Sequence, residues 1–158
     1  LMHGAWRLAY NGSRLSDAPS VSSWGPPIFA LFGLGIGIYL TSVAFTHSEA
    51  MCGPIGDCMR VQASPHSKLF GVPMAIWGML FYLGILGLWL LQRRLSGSWR
   101  LRSILGLLVL SLFGVIFSIY LTGLELFVIH AVCIWCLSSA VLATLIMLIV
   151  TRKVTTAN

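Results

Sequence analysis

Negative charge is almost absent from this chain. Only four acidic residues stand among 158, and the charged fraction is 9%, against about a quarter in soluble globular domains. With a mean hydropathy of +0.91, that scarcity excludes an ordinary water-soluble domain. Charge is also missing in blocks. Lys68 and Arg93 bound 24 uncharged residues (69–92), Arg102 and Glu125 bound 22 (103–124), and Glu125 and Arg152 bound 26 (126–151). A fourth stretch, from about Ile28 to Phe45, carries none. At 1.5 Å per residue each is long enough to cross the ~30 Å hydrocarbon of a bilayer. Internal repeats and low-complexity tracts are lacking too, and four spans leave no room for a second domain.

The expected fold is therefore an all-α integral membrane protein. It is a four-transmembrane-helix bundle with spans at about 28–45, 72–91, 103–124 and 126–150, forming one membrane domain over 26–153. Residues 1–25, rich in serine, read as a flexible N-terminal segment. They are too long and too polar a lead for a cleavable signal peptide, and because the chain opens on Leu1 its native start is expected to differ. A long outer loop between helices 1 and 2, Thr46 to Gly71, is of a length that compact bundles usually reserve for function. Gly33 and Gly37 make a small-xxx-small face for close helix packing. No strand precedes them and no phosphate-binding turn follows, which sets aside a nucleotide-binding reading.

The net charge of +6 could suggest nucleic acid, but the basic residues are distributed by topology. Arg7, Arg14, Arg93, Arg94, Arg100, Arg102, Arg152 and Lys153 all fall at one end of the predicted bundle, against Arg60 and Lys68 at the other. The positive-inside rule then predicts both termini in the cytoplasm. It also puts all four cysteines on the outer side: periplasmic, extracytoplasmic or lumenal. No nucleic-acid partner is implied.

Cysteine is scarce but patterned. Cys52 and Cys58 lie in the long loop as Cys-Gly-Pro-Ile-Gly-Asp-Cys, and Cys133 and Cys136 form Cys-Ile-Trp-Cys at the start of the fourth span. An even count on one oxidising face is a redox signature. The Cys-x-x-Cys spacing sets both sulfurs within one helical turn, so a disulfide can close there. Backbone N–H groups at the helix start favour the thiolate of Cys133, while Cys136 lies one turn deeper, where a membrane-dissolved acceptor would arrive. Gly53, Pro54 and Gly56 permit a tight ring on a mobile loop. Zinc fits these spacings poorly. Two purely structural disulfides remain an alternative, although a bond closing so short a helical loop stabilises little.

Phe70-Gly71-Val72-Pro73 opens the second span, and His130-Ala131-Val132-Cys133-Ile134-Trp135-Cys136 opens the fourth. With the loop pair and the helix order, these segments resemble the vitamin K epoxide reductase family from about Ile28 to Val150. The resemblance implies a four-helix bundle enclosing a quinone (menaquinone, ubiquinone or vitamin K type) near its outer end. Cys133 and Cys136 would face the quinone while Cys52 and Cys58 shuttle electrons. Ser67, four residues before Gly71, would meet a quinone carbonyl; its other reading is a helix cap. Phe70 and Trp135 are further candidates for the pocket. Ala140 stands where the vertebrate branch has tyrosine, which favours quinone over epoxide reduction. Many bacterial relatives continue into a thioredoxin-like domain where this chain stops at Asn158, which implies a separate thioredoxin-fold partner.

The expected function is thus a quinone-dependent thiol–disulfide oxidoreductase of a bacterial or archaeal plasma membrane, supporting disulfide formation in secreted proteins. The alternative is a non-enzymatic tetraspan scaffold with structural disulfides. Another bacterial quinone-linked disulfide-forming membrane protein does a similar job, but carries its Cys-x-x-Cys in the first outer loop, the reverse of the order here. Glu125 and His130 are read as interfacial anchors, and Asp57 and His66 as solvated loop residues.

Overall fold

The computed structural model describes residues 24–46, 48, 51–52, 54 and 56–156. Apart from Trp24 and Gly25, the expected flexible segment 1–25 lies outside the described residues, as do Arg7 and Arg14. Four long helices form the bundle: α1 (Gly25–Thr46), α3 (Met74–Arg94), α4 (Ser98–Leu124) and α5 (Ile134–Thr156). Each is long and apolar enough to cross a membrane, so the chain is an integral membrane protein.

Local chemistry sets the helix ends. Pro26 and Pro27 occupy the first turn of α1, where proline has no hydrogen bond to lose. Arg93 and Arg94 close α3 beside its last carbonyls. Arg93 also stacks over the rings of Trp24 and Trp89, with its guanidinium carbon 5.2 and 4.4 Å from their centroids. Gly97, with φ +67°, turns the chain into α4.

Neighbours in the bundle run α1, α3, α4, α5 and back to α1. The core holds Ala30, Tyr82, Ile85, Leu107, Ile146 and Val150. Large apolar side chains such as Phe32, Phe113, Ile119 and Val141 point outward, as lipid-facing surfaces require. Gly33 packs against the Tyr82 ring so closely that a Cβ there would overlap it. The Tyr82 hydroxyl in turn donates to the Ser139 carbonyl on α5 at 2.9 Å. The expected small-residue face is therefore what lets α1 and α3 meet.

The long loop has structure of its own. A short helix α2 (Cys58–Ala63) and a 3-10 turn (Pro65–Ser67) lead into a two-stranded hairpin, β1 (Lys68–Leu69) with β2 (Val72–Pro73). Phe70 (φ 55°) and Gly71 (φ 80°) form its two-residue turn, the mirror-image geometry that suits tight hairpins. The fourth span differs from expectation. The chain passes from α4 into a π turn (Glu125–Ile129), and α5 begins only at Ile134. The intervening residues are apolar enough for a span, yet their backbone is given over to a turn that shapes the site.

Candidate redox site

Cys52 and Cys58 are joined as a disulfide with their Cα atoms 6.0 Å apart. Cys58 opens α2 behind the N-cap Asp57, whose carboxylate accepts from the Arg60 N–H at 3.3 Å. Asp57 is thus a cap and not a free loop residue. The ring closed by the disulfide is docked on the lead-in to α5. The Asp57 N–H donates to the Val132 carbonyl at 3.1 Å. At Gly56, with φ +144°, a Cβ would lie 3.1 Å from that same oxygen; only glycine suits both the dihedral and the space.

A second clamp holds the loop just before Cys52. The Met51 N–H donates to the Tyr39 hydroxyl, and the Met51 carbonyl accepts from Trp135 Nε1, both at 3.0 Å. The rings of Tyr39 and Trp135 pack 5.1 Å apart. These bonds bring all four cysteines together. Cys58 and Cys133 are buried side by side with Val61 and Ala131, and Cys52 and Cys136 pack against them.

Cys133 and Cys136 are free thiols. Cys133 caps α5, its carbonyl accepting from the Leu137 N–H at 3.0 Å. A hydrogen bond from the Cys136 thiol holds the Cys133 thiol below its ordinary range, with help from the N–H groups of Cys136 and Trp135; burial and the Glu125 charge oppose it. Cys133 is therefore the readier thiolate of the pair.

The π turn supplies the remaining member. His130, in the left-handed region at φ 53°, and Ala131 both donate their N–H groups to the Glu125 carbonyl. This folds the Glu125 side chain back beneath α5. Its Oε2 accepts from the Cys133 N–H at 3.1 Å, and its carboxyl is hydrogen-bonded to the Cys136 thiol. Glu125 is 6% exposed, so it is a buried site residue where an interfacial anchor was expected; His130 remains exposed. The signal was present in sequence, since an acidic side chain flanked by long apolar runs is by default functional.

Cys136 and Glu125 look into a cavity of about 520 Å³. Leu40 and Val43 of α1 and Leu121 and Leu124 of α4 form its apolar wall. His66, Ser67 and Lys68 close it from the loop. An apolar space of this size with few polar groups suits a flat aromatic head group, and its residues fit a quinone. Ser67 shares this cavity, but its hydroxyl donates to the Gln62 and Ser64 carbonyls at 2.6 and 2.8 Å. Phe70 stands at the hairpin tip, 89% exposed, and Trp135 faces the groove beside Tyr39. Neither lines the cavity that holds Cys136.

Thiol chemistry performed at the wall of a cavity between membrane helices belongs to the membrane thiol oxidoreductases, and fold and site together place this chain in that class. The model of the vitamin K epoxide reductase family matches residues 27–151, which is 125 of the 158 residues. The chain belongs to that family, whose members are oxidoreductases that use quinones. No curated protein matches the chain.

Proposed function

We propose that this chain couples oxidation of a separate thioredoxin-fold protein to two-electron reduction of a lipid quinone, and so supports disulfide formation in secreted proteins. The observation that carries the reading is the graded placement of the four sulfurs. Cys52 is partly exposed, Cys58 is buried against Cys133, and Cys136 opens on the cavity.

The cycle follows from that order. A partner thiolate attacks Cys52 and releases Cys58, which attacks Cys133 in an oxidised Cys133–Cys136 pair. Cys136 leaves as thiolate beside the cavity. The partner's second thiol then breaks the partner–Cys52 bond, so that the partner leaves as a disulfide and Cys52 is freed. Cys52 attacks Cys58, and the Cys52–Cys58 bond forms as the Cys58–Cys133 bond breaks, which leaves the arrangement described above: loop pair oxidised, inner pair reduced. The inner pair then passes two electrons to the quinone and closes its own disulfide. Ser67, once turned from the Gln62 carbonyl, would orient a quinone oxygen. Trp135 would serve the quinone reaction indirectly, by holding Met51 and the loop in place. Phe70 would shape the hairpin that closes the cavity. The quinone supplies the two-electron acceptor chemistry when bound.

The basic ends of the helices support an orientation with both termini cytoplasmic and the cysteines outside, in a bacterial or archaeal plasma membrane. Ala140 supports reduction of quinone in preference to epoxide.

Purified protein given a reduced thioredoxin-fold donor and a short-chain menaquinone or ubiquinone tests the proposal. Quinol should accumulate with a matching loss of donor thiols. Donor oxidation without quinol, or four cysteines inert to mild dithiol, would return the cysteines to a structural role.

A further inference from the structure

Quinone reduction takes two protons as well as two electrons, and the four sulfurs alone provide no directed route for the protons. One side chain touches both the thiol that must lose a proton and the cavity where a proton is needed. Glu125 is hydrogen-bonded to the Cys136 thiol, accepts from the Cys133 N–H at 3.1 Å, and shares the cavity wall with Cys136. It is the only acidic residue after Asp57. Among the described residues no cationic side chain acts on it.

Capping Cys133 does not by itself call for a carboxyl. A glutamine oxygen would accept the same N–H bond without burying a group that can carry charge in the membrane, which is costly wherever it lacks a use. A carboxyl differs from an amide in that it can take a proton and give it back. The π turn holds this one in place, because its own carbonyl is fixed by the His130 and Ala131 N–H groups.

We propose that Glu125 is a catalytic acid–base that takes the proton of the Cys136 thiol and hands it to the nearer oxygen of the bound quinone. The inference rests on the quinone reduction proposed above. The step balances as follows. The Cys136 S–H bond breaks and its proton moves to the Glu125 carboxylate. The Cys136 thiolate adds its electron pair to the quinone ring, forming a sulfur–carbon bond, as Glu125 protonates the near oxygen. Cys133 then attacks the Cys136 sulfur, so that the S–S bond forms as the sulfur–carbon bond breaks and its electron pair stays with the ring; the two thiols are oxidised together. Cys133 loses its proton to water, and the far oxygen takes one from water at the cavity mouth. Two thiols thus lose two electrons and two protons, and the quinone gains the same. The other titratable groups around Glu125 are Cys133, which caps α5, Cys136 of α5 and, on the loop side of the cavity, His66 and Lys68; α1 and α3 contribute none to the cavity.

Single-turnover quinol formation is the test, with dithiothreitol-reduced protein in nanodiscs and a short-chain ubiquinone as probe. Glu125→Gln keeps the cap to Cys133 and should slow quinol formation about 100-fold, the ordinary range for general acid–base catalysis. Apparent quinone affinity and exchange between the two cysteine pairs should change far less than quinol formation does. Wild-type quinol formation should also be slower in D2O. Quinol formation by Glu125→Gln at the wild-type rate overturns the assignment. So does a loss of pair-to-pair exchange equal to the loss of quinol formation, which would make Glu125 structural. If Glu125→Gln does not assemble, equal wild-type rates in H2O and D2O overturn it instead. Absence of quinol from wild type with every quinone tried is a different outcome, since it fails the quinone reading itself.

Discussion

Gly56→Ala removes the docking of the loop on α5 while leaving every sulfur in place. Its effect can be worked from two observations. The backbone at Gly56 has φ +144°, and the new Cβ would meet the Val132 carbonyl at 3.1 Å. A non-glycine residue held in such a region costs about 1–3 kcal/mol. Relieving the contact by moving the chain weakens the neighbouring bond from the Asp57 N–H to Val132, also 3.1 Å and worth about 1 kcal/mol. Together these give about 2–4 kcal/mol against the docked loop, roughly a 30- to 900-fold fall in its population relative to the undocked loop. The assay is rapid mixing of protein whose loop pair is reduced and inner pair oxidised, following transfer between them. Transfer should slow by about tenfold or more, as the lost population requires. Quinol formation driven directly by dithiothreitol at Cys133–Cys136 should stay near wild type. Wild-type transfer in Gly56→Ala would refute the claim that this docked geometry is the one in which the pairs exchange.

Two further predictions probe the same contacts. Trp135→Phe keeps the ring on Tyr39 but loses the 3.0 Å bond to the Met51 carbonyl. It should weaken loop docking by about 1 kcal/mol, roughly fivefold, read as faster proteolysis between Thr46 and Cys52; an unchanged cleavage rate would show that the clamp carries no energy. The second concerns pH. The Cys136 thiol is the main donor holding Cys133 low, so losing that donor destabilises the thiolate and raises the pH at which Cys133 attacks the loop disulfide. Cys136→Ser keeps a hydroxyl donor and should form the Cys58–Cys133 mixed disulfide at lower pH than Cys136→Ala does; coincident midpoints would remove the Cys136 bond as the cause.

The membrane bundle was legible because lipid imposes a simple rule. Segments that cross it must lack charge for about 20 residues, and Arg93, Arg94, Arg102 and Arg152 stand at or near the ends of those segments. The same reasoning misplaced the start of α5. Hydropathy registers that residues 126–133 are apolar, but not that their backbone turns back through His130. Treating Glu125 as a boundary also hid it, since a charge used to end a span is not then asked why it is buried. The two cysteine pairs were legible by their spacing. Their convergence was not, because it depends on bonds between residues far apart in the chain, such as Asp57 to Val132 and Met51 to Trp135. Phe70 and Trp135 belong to recognisable motifs, yet a motif gives no direction for a side chain. In this fold one makes a hairpin turn and the other a loop clamp.

The central claim is a two-pair relay in which Cys58 meets Cys133 and Cys136 serves the quinone. Disulfide mapping by mass spectrometry in Cys136→Ala and Cys52→Ala, beside a dithiothreitol-driven quinol assay, tests it most directly. Cys136→Ala should accumulate a Cys58–Cys133 bond and form no quinol, because no Cys133–Cys136 disulfide can form and Cys52 is the only thiol left to reopen that bond. Cys52→Ala should lose transfer from a protein donor, yet still form quinol when dithiothreitol reduces Cys133–Cys136. Equal loss of dithiothreitol-driven activity in both variants would contradict the relay, and full activity in both would contradict a role for the cysteines in the reaction.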